Sequence, residues 1–207
     1  MRTVLVANRK GGCGKTLVAI TVASALAAGG GAVALADADP QKSSLRWLKH
    51  RPPTAPAIRG LDWSHAGDVG DAPKRIDWLV IDAPGALGGN RAEALIAETD
   101  AVVTPVLPSS FDADSTRRFL KEIEEVKRVR KGKVSVHLIA NRVKPRLHAT
   151  ERLQAFFASL GQEPVAWISE RAVYADLAEE GLAIFDRAAR GAGPIRAQWK
   201  PVLDALG

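Results

Sequence analysis

The stretch Lys10-Gly11-Gly12-Cys13-Gly14-Lys15-Thr16 combines residue types that can hold a polyphosphate. It follows a short apolar run, Val4 to Ala7, read as a buried strand, and precedes an apolar-periodic helix expected to begin near Lys15. Glycines let the backbone bend tightly and turn its N–H groups toward an anion. The helix N-terminus adds partial positive charge. Lys15 can reach β- and γ-phosphates, and the Thr16 hydroxyl can bind Mg²⁺. Gly11, Gly12, Cys13, Gly14, Lys15 and Thr16 are therefore the predicted ATP-binding loop. One position departs from the usual spacing: Arg9 stands where a glycine is expected, and a second lysine, Lys10, opens the loop.

Two carboxylate landmarks follow. Ala32 to Ala36 reads as a second buried strand that runs into Asp37-Ala38-Asp39-Pro40-Gln41. Acids at the C-terminal end of a strand lie where α/β sheets hold ligands, although a solvated turn with proline is the other reading of this stretch. Trp78 to Ile81 is a third apolar strand, ending in Asp82-Ala83-Pro84-Gly85. A carboxylate there can hold Mg²⁺ through water. Gly85, Gly88 and Gly89 would make the loop beyond it mobile, suiting a switch that senses the γ-phosphate. Asn141 ends a later strand. Its carboxamide carries donor and acceptor and can pair with an adenine edge, or it can simply form a turn.

The loop, the Asp-x-Asp-Pro-Gln segment and the Asp-x-Pro-Gly segment together resemble the deviant Walker A ATPases of the ParA/MinD family, and specifically its small ParA class. That resemblance implies a slow, Mg²⁺-dependent ATPase that dimerises on ATP. It gives Lys10 a role across the dimer, at the partner's nucleotide. It gives Asp39 the attacking water, Asp37 a part in supporting the metal region beside Thr16 and Asp82, and Asn141 the adenine. Lys10, Lys15 and Asp39 are thus the expected catalytic set. The resemblance also implies an ATPase that binds nucleoid DNA nonspecifically, is released by a ParB-like or cargo-adaptor protein, and so partitions or positions a cargo, whether plasmid, chromosome or protein assembly. It favours a DNA surface in the C-terminal third: Arg171, Arg187, Arg190, Arg196 and, with less weight, Lys200.

The elements that must position these groups alternate strand with helix. Helices are expected over 17–28, Ser43 to His50, Ala92 to Glu98, Asp112 to Arg130, His148 to Leu160 and 170–180. A helical tail would carry Pro194 near its start and be interrupted by Pro201. Further strands are expected at 101–106, 134–140 and 165–168. From Arg51 to Pro73 the chain reads as loops, with one strand near Ile58 and a short helix before Ile76. Leu45, Leu48, Trp47, Phe119, Ile123 and Val126 are expected inward, and His137 packed. Motifs at strand C-termini within a βαβ pattern predict an α/β fold, a doubly wound and mostly parallel sheet flanked by helices, forming one domain over residues 1–207.

Composition narrows the alternatives. The 46% apolar and 25% charged fractions suit a globular chain with a sizeable core. Cys13 is the only cysteine, so the cysteine pairs of related reductases and metal-cluster carriers are missing; Cys13 as a reactive thiol remains a minor alternative. The chain shows no leader and no apolar stretch long enough for a bilayer, so a cytoplasmic, nucleoid-associated protein without a membrane partner is expected. A net charge of +6 is compatible with an acidic partner. The competing reading, a MinD-like ATPase on a membrane surface, would need a basic amphipathic C-terminal helix. The segment Gln198 to Gly207 is short, contains proline and is barely basic.

Overall fold

The structure, a computed structural model, describes residues 1–65, 69–85, 87–144, 148–186 and 192–207. Seven parallel strands are described: β1 (Arg2–Val6), β2 (Val33–Asp37), β3 (Ile58–Asp62), β4 (Trp78–Asp82), β5 (Ala101–Val106), β6 (Ser135–Val143) and β7 (Ala166–Ser169). Their order across the sheet is β3-β2-β4-β1-β5-β6-β7. Every pairing is parallel, which makes the sheet more uniform than the expected mostly parallel one. The inner strands are near-continuous apolar runs because both faces are covered.

Alternation along each strand divides the core in two. Leu5, Ile81 and Leu138 face a layer built from α3 (Gly89–Ala97), α4 (Ser110–Glu124) and α6 (His148–Leu160), centred on Ile96, Phe119 and Phe157. Val4, Val80 and Ile139 face the opposite layer, made of α1 (Lys15–Ala28), α2 (Ser43–His50), α7 (Val173–Glu179), α8 (Ala192–Ala197) and α9 (Lys200–Leu206). The connections run to opposite sides of β1: β4 and β2 lie on one side, β5 and β6 on the other. Loops at the C-terminal edge diverge there, and the crevice between them is where such sheets hold ligands.

Several local expectations are corrected. The helix expected from Asp112 to Arg130 is two helices, α4 and α5 (Lys127–Arg130). Val126 is extended, with ψ 123°, and this break drives its side chain into the core. Among the described residues no short helix stands just before Ile76: residues 69–75 are irregular. Val69 and Ala72 lean on the core there, and Gly70 lies so close to the Trp63 indole that a Cβ would sit 2.4 Å from Nε1. The tail is interrupted as expected, between α8 and α9, and Pro201 stands in the first turn of α9, where its missing N–H costs nothing. The helix expected over 170–180 begins only at Val173. Leu45 and Leu48 are half-buried, whereas Trp47 is in the core, its indole N–H donating to Leu182 O at 3.2 Å.

Candidate active site

The loop after β1 owes its shape to two left-handed glycines, Gly12 at φ 80° and Gly14 at φ 94°. Gly14 is also the N-cap of α1 and has no side chain to satisfy the first-turn N–H groups, so they are free for an anion. Asn8 anchors the front of the loop from a fully buried position; its amide donates to Pro105 O and Thr116 Oγ1, both at 2.9 Å. Lys15 is buried, and its ammonium donates to the Lys10 carbonyl at 3.0 Å, with Cys13 Sγ at 4.0 Å. The Cys13 thiol donates to the same carbonyl at 3.2 Å. Burial pushes the Cys13 pKa upward, against the pull of Lys15, which removes the thiolate a reactive cysteine needs.

The two lysines of the loop point to different places. Lys15 lines a cleft of about 780 Å³ together with Gly12, Thr16, Asp39, Gly85 and Arg142. Lys10 is half-buried and outside that wall, and its charge acts on Asp112 at the start of α4. Asp112 is 4% exposed with one carboxylate oxygen unpartnered among the described residues, and burial raises its pKa against the opposing pull of Ser109 and Lys10.

The carboxylates converge on the other side of the loop. Asp37 and Asp82 are in register on adjacent strands, and both are fully buried. Asp37 accepts N–H bonds from Asp39 at 3.1 Å and from Leu45 at 3.0 Å, so it ties the β2 loop to the first turn of α2. Asp39 accepts from Gln41 N–H at 2.8 Å and from Gly85 N–H at 2.9 Å, linking the loops after β2 and β4. Asp82 differs from both. Neither of its oxygens has a hydrogen-bond partner among the described residues. Burial raises its pKa to about 7, and the nearby Asp37 and Asp39 add to the rise, while the Thr16 hydroxyl and the Lys15 charge oppose it. Two orphaned, buried carboxylate oxygens beside a hydroxyl are a hard-oxygen donor set, and a Mg²⁺ ion completed by phosphate and water fits it.

Asn141 sits beneath the loop at 2% exposure. Its amide donates to Cys13 O at 2.9 Å and its oxygen accepts the Arg142 N–H at 3.0 Å. A Cβ on Gly14 would stand 2.6 Å from Asn141 Nδ2, so these two residues fix each other.

The structure thus brings Lys10, Gly11 to Thr16, Asp37, Asp39, Asp82 and Asn141 to one edge of the sheet. The described basic residues are engaged differently from one another. Arg171 is exposed. Arg196 is half-buried, donates to Ile184 O at 2.7 Å and lies 5.9 Å from the Phe185 ring. Lys200 pairs with Asp204 at 2.5 Å. Arg187 and Arg190 lie outside the described residues. Asn8, Asp112 and Arg142 belong to the site but escaped the sequence reading. Asn8 at least adjoins the loop, whereas Asp112 looks like any acid in a helix's first turn.

Comparison with known proteins agrees with this geometry. The Maintenance of carboxysome distribution protein A of Halothiobacillus neapolitanus is 33% identical over 195 residues, 91% of this chain and 89% of the relative. Two Cyanothece McdA structures share the fold. The apo form has a TM-score of 0.79 at 19% identity, covering 100% of both chains. The D38A–ATP complex has a TM-score of 0.74 at 18% identity, covering 98% and 96%. The sequence profile of the CobQ/CobB/MinD/ParA nucleotide-binding domain matches residues 4–184. The chain belongs to the CobQ/CobB/MinD/ParA nucleotide-binding family.

Proposed function

We propose that this chain is a Mg²⁺-dependent ATPase, one domain over residues 1–207, that dimerises on ATP, binds DNA without sequence preference and positions a protein-assembly cargo with the help of an adaptor. The likeness to a carboxysome distribution protein across nearly the whole chain makes a carboxysome-like assembly the favoured cargo. The observation that carries the dimer is the separation of the two lysines. Lys15 lines the cleft, whereas Lys10 stands outside it beside Asp112, free to serve a partner's nucleotide.

The residues divide the work as follows. Backbone N–H groups of residues 11–16 cradle the phosphates. Lys15, held on the Lys10 carbonyl, transfers its donors to the β/γ bridge. Thr16 and Asp82 would hold Mg²⁺, which supplies charge neutralisation at the phosphates, and Asp37 braces the loop beside them. Asp39 sits at the γ-phosphate end and orients water. Because it also accepts the Gly85 N–H, reorienting it moves the loop after β4. Asn141 supports the loop from below and is the candidate for the adenine edge. DNA contacts are assigned to Arg171, Arg187 and Arg190. Arg196 and Lys200 are weaker candidates, Arg196 because it is half-buried on Ile184 O and Lys200 because its charge is paired with Asp204. The protein would be cytoplasmic and nucleoid-associated. The membrane-surface reading gains no support from the tail, where Trp199, Val202 and Leu206 pack in the core. No described helix is long and apolar enough to cross a membrane.

Light scattering with and without Mg-ATP tests the reading. Wild type should become a dimer with ATP. Lys15→Ala should bind no Mg-ATP in calorimetry. Lys10→Ala should bind it and stay monomeric, and Asp39→Ala should form a dimer that does not turn over. A Lys10→Ala protein that dimerises as wild type does would remove the cross-subunit role.

A further inference from the structure

We infer that Arg91 is the positioning residue for Asp39, holding the peptide unit from which the Asp39 carboxylate is presented; this deepens the ATPase reading above and rests on it. Arg91 lies in the first turn of α3, the helix that follows the segment of Asp82 and Gly85. One guanidinium nitrogen, Nη2, donates to Ala38 O at 2.9 Å and to Trp63 O at 3.2 Å. The Ala38 carbonyl belongs to the peptide unit that leads into Asp39. The N–H of that same unit donates to Asp37 Oδ1 at 3.1 Å, so its plane is gripped at both ends. One residue back, the Ala38 N–H donates to Asp82 O at 3.0 Å. With that plane fixed, one backbone torsion and the side-chain torsions decide where the Asp39 carboxylate points. In this structure it points to the Gly85 N–H, at 2.9 Å. The chain beyond β4 is thus tied to the loop beyond β2 at two successive residues, Ala38 and Asp39.

Fastening alone would not select an arginine here, because a neutral donor can meet a carbonyl. Arg91 is half-buried, and among the described residues it has no ion-pair partner. Its Nε is buried and has no hydrogen-bond partner among the described residues. An orphaned donor on a half-buried cation costs stability, and such local conflicts collect where function requires the side chain. The position supplies the function. Asp39 and Gly85 line the nucleotide cleft on one side. With Arg91 and Pro84 they also line a separate cavity of about 390 Å³. Arg91 is not part of the cleft wall, so it reaches the chemistry through Asp39 and acts on orientation.

The discriminating experiment compares single-turnover hydrolysis, with protein in excess over Mg-ATP, against Mg-ATP affinity from calorimetry. Light scattering and thermal melting accompany both, on wild type, Arg91→Met and Arg91→Gln. Methionine keeps an unbranched apolar stem and removes every donor. Glutamine keeps a neutral donor on a shorter stem. Both variants should bind Mg-ATP and dimerise as wild type does, and hydrolyse the bound ATP at least about tenfold more slowly, because a misaimed Asp39 is felt only in the transition state. Hydrolysis at the wild-type rate in either variant overturns the inference. So does a rate loss matched by an equal loss of Mg-ATP affinity, which would make Arg91 a general support of the cleft. Failure of both variants to fold would show the fastening to be structural and would overturn it as well. A wild-type protein that binds Mg-ATP and never hydrolyses it instead overturns the ATPase reading on which the inference rests.

Discussion

In the proposed metal site Asp82 answers to two opposed requirements. A metal site needs a bare carboxylate, and a core tolerates one poorly. Its pKa of about 7 means that the folded chain holds a proton which the unfolded chain releases near pH 4. Stability from this group is therefore fully present below pH 4 and is lost as pH rises through 7, a change on the order of 4 kcal/mol. Asp82→Asn should remove that dependence. In EDTA, the variant's melting temperature should overtake the wild type's between pH 5 and pH 8, and Mg-ATP should narrow the gap by stabilising the wild-type carboxylate. Parallel wild-type and variant curves would mean that the carboxylate is solvated. Gly14 makes a second residue-scale case. Alanine there meets both a left-handed φ and the Asn141 amide, whereas alanine at Gly11 meets nothing within 4 Å. Gly14→Ala should cost at least about 1–2 kcal/mol in urea denaturation, and Gly11→Ala close to none.

At the scale of elements, α2 connects the nucleotide cleft to the C-terminal region. Asp37 fastens its first turn. Just past its last turn, Arg51 makes a two-pronged pair with Asp186, at 2.6 and 2.8 Å, and lies 4.9 Å from the Trp47 ring. The Arg51 and Asp186 side chains are 6% and 0% exposed. Removing one partner leaves a buried charge, so Asp186→Ala should destabilise the chain by about 3–5 kcal/mol in urea denaturation. A loss under 1 kcal/mol would show that Arg51 finds solvent or another acceptor. This clamp also shows where sequence reading stops. Strands and the phosphate loop announce themselves by local apolar runs and glycine spacing, and β4, β5, α2 and α6 fall where those patterns put them. The Arg51–Asp186 pair joins residues 135 apart, and nothing local marks either one. The break at Val126 and the bulge at Arg142 are set by tertiary packing, and both segments keep ordinary helix and strand composition. Asp37 and Asp39 stand out in the sequence as candidates because they end a strand. Their division of labour, one bracing α2 and the other gripping Gly85, required the folded backbone.

At the scale of the whole molecule, the net charge of +6 attracts DNA but cannot by itself make binding respond to ATP. A dimer can. If each subunit contributes the same few phosphate contacts, joining two subunits makes the second set intramolecular, and affinity rises without a new site. Binding should therefore be weak without nucleotide and strong with a non-hydrolysable ATP analogue, and equal on two unrelated duplexes, because phosphate contacts carry no direct sequence information. Each contact removed should reduce the magnitude of d log K/d log [salt] by about 0.9, and each substitution counts twice in a dimer. Arg171→Ala should thus flatten the slope by about 1.8, and Arg187→Ala/Arg190→Ala by about twice that. Arg196→Ala should act mainly on stability, because its guanidinium serves Ile184 O and the Phe185 ring. The measurement is a salt titration of fluorescence anisotropy on both duplexes. An unchanged slope in Arg171→Ala and in the double variant would move the DNA surface to another face. Binding that ignores nucleotide would undo the link between dimer and DNA, and with it the positioning mechanism.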